Sequence, residues 1–80
     1  MTASFDPVRV SATACASDPS LSPELAEQLA GEAWAHLQEI GALDAPEVAR
    51  RLLAAHEGVG ASECNAVATA AVGFCEDAGL

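Results

Sequence analysis

The sequence predicts an all-α fold: a small three-helix bundle running up, down and up behind an N-terminal arm. Two observations predict it. Apolar residues recur with helical period over three segments, and each segment opens on capping residues and closes at glycine. The predicted helices span about 22–40, 45–57 and 62–78. Residues 22–80 thus form one helical domain, and residues 1–21 an extended or flexible arm.

The arm is rich in Ser, Thr, Asp and Pro, and VRVSATAC alternates within it. Val8, Val10, Ala12 and Ala14 take one side of a strand, with Arg9, Ser11, Thr13 and Cys15 on the other. A lone strand needs an edge in a second copy or a partner, which marks Val8 and Val10 as candidate interaction residues. The alternative is a disordered tail. Asp18-Pro19 reads as a turn.

Ser22, Pro23 and Glu24 start the first predicted helix as N-cap, first helical residue and first-turn acid. Leu25, Leu29, Ala33, Leu37 and Ile40 share one arc, and Glu24, Glu27, Glu32 and Glu39 the other. Trp34 stands at the border, where tryptophans either contact partners or close a small core. Gly41 ends the helix.

Asp44 and Glu47 form a capping-box pattern for the second helix, with Leu43 and Val48 as its hydrophobic staple. Val48, Leu52, Leu53 and His56 line the inward arc. Glu47, Arg50 and Arg51 point away, and Gly58 and Gly60 break the helix. The third begins near Ser62 and stops at Gly79. Its inward arc carries Cys64, Val67, Ala71, Phe74 and Cys75. A second stripe, Ala66, Ala70 and Gly73, suits close approach by a helix of another subunit.

Composition narrows the function. Nineteen of the eighty residues are alanine, so the large apolar side chains that remain stabilise the fold by about a few kcal/mol net. A chain near that margin is expected to have a partner, either another copy or a different protein. Three arginines, no lysine and twelve acids give a net charge of −9. Such a chain cannot build the basic surface that nucleic acid requires, and Arg9 alone does not make the arm a DNA-binding strand. Anionic membrane is disfavoured likewise, no apolar run is long enough to span a bilayer, and no secretory signal is legible. The natural complement is a basic protein surface.

Three cysteines without framework spacing read as free thiols in a reducing cytoplasm. Cys64 and Cys75 lie within about 20° of each other around one helix but about 16 Å apart along it. A disulfide needs Cα atoms within about 7 Å, so both are read as packing atoms. Cys15 is expected to be exposed. His36 falls near Cys75 and His56 near Cys64, at opposite ends, so no tetrahedral metal site and no cofactor is expected. His56 and Cys64 form the candidate reactive pair: a thiol in a first helical turn with a base across a Gly-containing connection. No third orienting group accompanies them, and no enzyme is expected.

The leading reading is therefore a small acidic helical interaction module, an adaptor, regulator or accessory subunit, self-associating as a homodimer or docking on another protein. The second reading is a ribosomally made precursor peptide. Its acidic helical leader would precede a C-terminal core in which Ser62, Cys64, Thr69 and Cys75 are modified. The lysine-free, alanine-rich composition suggests a GC-rich bacterial genome.

Overall fold

The computed structural model describes residues 4–80 and contains four helices: α1 (Pro7–Ser17), α2 (Pro23–Ile40), α3 (Ala45–Ala55) and α4 (Ala61–Ala78). The predicted all-α bundle is present, and α2, α3 and α4 occupy the predicted segments. The count differs because part of the expected arm is helical. Residues 1–3 of that arm lie outside the described residues.

Helix α1 starts at an Asp-Pro pair. The Asp6 carboxylate accepts the Val8 N–H at 3.0 Å and the Arg9 N–H at 3.4 Å, while Pro7 takes a position whose missing N–H costs nothing. A helix also satisfies its own backbone, whereas a lone strand leaves a row of groups unpaired. Residues two apart in a helix lie about 200° apart, so Val8 and Val10 cannot share a face. Val10 and Ala14 enter the core, and Val8 remains 58% exposed. Ser11 is also buried, its hydroxyl donating to the Val8 carbonyl at 2.7 Å.

Neighbouring helices alternate in direction. Phe5 meets Phe74 at one end of the α1/α4 pair, and at the other the Ser62 hydroxyl donates to Asp18 at 3.1 Å. Glu39 with Arg51 and Glu32 with His56 tie α2 to α3 in the same antiparallel sense. Predicted up-down-up therefore holds for α2 to α4, and α1 adds a fourth rod against α2 and α4. Nearly half of the buried apolar residues are alanine, including Ala26, Ala30 and Ala33 on α2 and Ala68 and Ala71 on α4. Leu29, Leu37, Val48, Leu52 and Val67 supply the bulk between them. The radius of gyration is 11.2 Å, close to the roughly 11.6 Å of a tightly folded chain of this length.

Helix ends follow their local chemistry. Ser22 caps α2 through the Leu25 N–H at 3.2 Å. Asp44 caps α3 through the Glu47 N–H at 3.3 Å. The capping box predicted there is only half made, because the Glu47 carboxylate turns to Arg50 and Arg51. On α4 the helix begins at Ala61, one residue before the predicted start, and its N-cap is Gly60. Having no side chain to offer, Gly60 instead donates its N–H to Glu63 at 3.0 Å. Helix α3 ends two residues early, with His56 as an extended C-cap whose N–H reaches the Leu52 carbonyl at 3.1 Å.

Candidate functional site

Two helix C-termini create an apolar concavity that gathers exposed large side chains. At the end of α2, Gly41 turns left-handed at φ 73° and donates its N–H to the Leu37 carbonyl at 2.9 Å. The chain then presents Ala42 and Leu43. At the end of α4, Gly79 turns the same way at φ 72°. Its N–H reaches the Glu76 carbonyl at 3.4 Å, and the Leu80 N–H reaches the Cys75 carbonyl at 2.9 Å. This paired arrangement is a Schellman motif, and it fixes where Leu80 sits.

Leu43 and Leu80 converge with Trp34, Leu37, Gln38 and Ala42 on a hollow of about 230 Å³. They are 42% and 40% exposed, two of the four large apolar side chains left in solvent among the described residues. The other two, Val8 and Leu53, lie elsewhere. Trp34 is half-buried, and its ring is held from behind by Phe5, stacked at 4.9 Å with 10° between planes. Phe74 closes on Phe5 edge-on at 5.5 Å. Every aromatic residue of the chain thus belongs to one cluster.

No charged side chain lines the hollow itself, and the chain's arginines are engaged away from it. Arg50 places Nη2 2.6 Å from Glu47, and Arg51 divides itself between Glu47 at 3.0 Å and Glu39 at 3.1 Å. Hydrogen bonds from Arg50 and then Arg51 hold the Glu47 carboxyl down to about 2. Arg9 lies over the Phe74 ring at 5.9 Å and joins no ion pair among the described residues. Neither α2 nor α4 carries a basic residue in its last turn. Instead Glu39, Glu76 and Asp77 stand there, beside the negative ends of two helix dipoles.

Of the predicted interaction residues, Trp34 lines this hollow and the rest do not. Val10 is core. Ala66, Ala70 and Gly73 face α1 within the same chain, along a groove of about 270 Å³ that Arg9, Thr13 and Thr69 also line. A methyl group added at Gly73 would meet nothing within 4 Å, so that stripe is not a tight helix crossing. Leu43 was expected to staple α3 and Leu53 to face inward; both are exposed. Leu53 follows the buried Leu52 by 100° of helix and falls outside a face narrowed to Val48, Ala49 and Leu52.

Cys64 and Cys75 are fully buried free thiols, as their spacing predicts. Burial, and secondarily the Glu63 carboxylate, pushes the Cys64 thiol up; burial alone raises that of Cys75. The helix dipole expected to activate Cys64 is outweighed. Its expected base is engaged elsewhere, since His56 Nε2 lies 2.6 Å from Glu32 Oε1. Cys15, expected in solvent, is half-buried, with its thiol donating to the Leu21 carbonyl at 3.4 Å. His36 Nδ1 lies 3.9 Å from Glu39. Among the described residues no group of three or more His, Cys, Asp or Glu side chains could hold a metal ion, and no helix is long and apolar enough to cross a membrane.

Leu80 and Phe5 escaped the sequence reading. The Gly79-Leu80 pair carries the signal for the first, an apolar residue just beyond a glycine stop. Asp6-Pro7 carries it for the second, the same type of cap that marks α2. No protein-family model, no curated protein and no solved structure matches the chain, so what it does has to be argued from these residues.

Proposed function

We propose that this protein is a small acidic interaction module, an adaptor or accessory subunit that acts by binding a different protein and not by catalysis. The carrying observation is the convergence of Leu43 and Leu80 with Trp34 on one hollow. Large apolar side chains scattered singly on a surface need no explanation, but two gathered beside an anchored tryptophan have the composition of an interface core. Its three unpaired thiols suit a reducing compartment, and the cytoplasm is the setting we propose.

A second copy is the weaker occupant. The two features that favoured self-association, an unpaired strand and a small-residue stripe, are used inside the chain by α1. Each copy also carries −9, which opposes close approach of identical surfaces. The precursor-peptide reading loses ground similarly, because Cys64 and Cys75 would have to leave the core before modification.

The test is co-purification from the native cell of wild type against a Leu43→Ser/Leu80→Ser variant, with circular dichroism verifying the fold. A stoichiometric partner retained by the wild type and lost by the variant is the expected result. A partner held equally by both, or wild type recovered alone, would refute the reading.

A further inference from the structure

We infer that the hollow takes a cationic amphipathic helix, a partner segment that inserts one or two apolar anchors between Trp34, Leu43 and Leu80 and sets Lys or Arg side chains against the rim. This inference rests on the functional reading above and names the chemistry of the partner.

Size comes first. About 230 Å³ admits a pair of leucine-sized side chains and falls below the roughly 300 Å³ at which small-molecule sites begin. Two anchors one helical turn apart fit that space. An extended peptide gains affinity from main-chain hydrogen bonds to a sheet edge, and this chain has no strand among the described residues. A helix satisfies its own backbone and needs only side-chain contacts.

Charge decides the rest. The hollow lies at the C-terminal ends of α2 and α4, where partial negative charge from unpaired carbonyls accumulates. Folding alone would favour cations in those last turns. The chain instead places Glu39 in one and Glu76 in the other, against the dipole, while Asp77 of the same turn faces the α1 side beside Arg9. Arg51 answers Glu39. Glu76 has no side-chain partner among the described residues and stands exposed. Carboxylates that oppose local stability beside an exposed apolar floor are accounted for by a cation that arrives from outside. The nearest arginine on the α1 side, Arg9, lies over Phe74 and is not at the hollow.

Trp34 is the chain's single tryptophan, so its fluorescence reports the hollow directly. The probe is a tryptophan-free synthetic peptide of leucine and lysine, about fourteen residues or four turns long, patterned as an amphipathic helix. A scrambled peptide of identical composition is the control. The patterned peptide is expected to shift Trp34 emission to the blue and to bind at least about tenfold more tightly than the scramble. Leu43→Ser/Leu80→Ser, which leaves the charge untouched, should weaken binding by a similar factor. Glu76→Gln should weaken it about threefold while raising the melting temperature, since it removes a charge that opposes the dipole.

Equal binding of both peptides, an unmoved Trp34 signal, or undiminished binding by the double serine variant would overturn the inference, because each means attraction to the acidic surface at large. Trp34 emission that instead shifts with protein concentration, alongside dimerisation by sedimentation that the double variant abolishes, would make a second copy the occupant and overturn it too. If co-purification yields a partner that depends on Leu43 and Leu80 while the peptide fails, only the cationic-helix chemistry falls. If no such partner exists, the functional reading falls with it.

Discussion

Phe5 stacks face to face on Trp34, 4.9 Å between ring centres, joining the start of the described chain to the wall of the candidate docking hollow. The contact ties the segment just before α1 to α2. It makes the geometry of the hollow depend on a residue that does not line it.

Replacing Phe5 with alanine should therefore act at a distance. The side chain is half-buried, so the expected loss is about 1–2 kcal/mol, below the range for a fully buried aromatic. Trp34 emission should move to the red as its rear face opens to water. Urea unfolding and fluorescence check both effects. An unchanged spectrum would mean that Trp34 is held by α2 alone.

Acid stability should turn on Glu47. Its carboxyl sits near 2 in the folded chain against an ordinary value of 4.5. The unfolded state binds the proton more readily, so the contribution is complete above about pH 4.5 and fades as pH falls toward 2. Glu47→Gln should lower stability at neutral pH and flatten the decline over that window. Because the guanidinium partners are near the surface, added salt should shrink the difference. Urea titrations at several pH values, with and without salt, provide the check.

Gly73 and Gly31 lie inside helices, and a methyl group at either would touch nothing within 4 Å. Gly73→Ala and Gly31→Ala should each stabilise the chain by about 0.5–1 kcal/mol, the helix-interior difference between the two residues. Thermal melts test this. Destabilisation by Gly73→Ala would reveal a closer α1 approach in solution.

Thiol labelling should separate the cysteines by burial. Cys15 is half-buried and should react with a thiol reagent first. Cys64 and Cys75, buried with raised thiol pKa values, should react at the rate of global opening. Mass-resolved labelling across a denaturant series measures this. Prompt reaction of Cys64 in native buffer would contradict the packing described.

Much of this molecule is written locally. Ser22-Pro23, Asp44 and the glycines at 41 and 79 mark helix ends through bonds to neighbours a few residues away, and burial of Cys64 and Cys75 follows from their shared helix face. The same logic held at Asp6-Pro7, but the alternation of Val8 and Val10 competed with it. Tertiary structure settled that contest: α2 and α4 offered an alanine-lined face on which a helix placing Val10 and Ala14 inward could bury them. The hollow was decided only at that level. Leu43 and Leu80 are ordinary leucines beside ordinary glycine stops, and nothing local says that two caps thirty-eight residues apart open at one end of the bundle. Helix ends are short-range hydrogen-bond problems, whereas a surface shared by two of them exists only after the helices have packed.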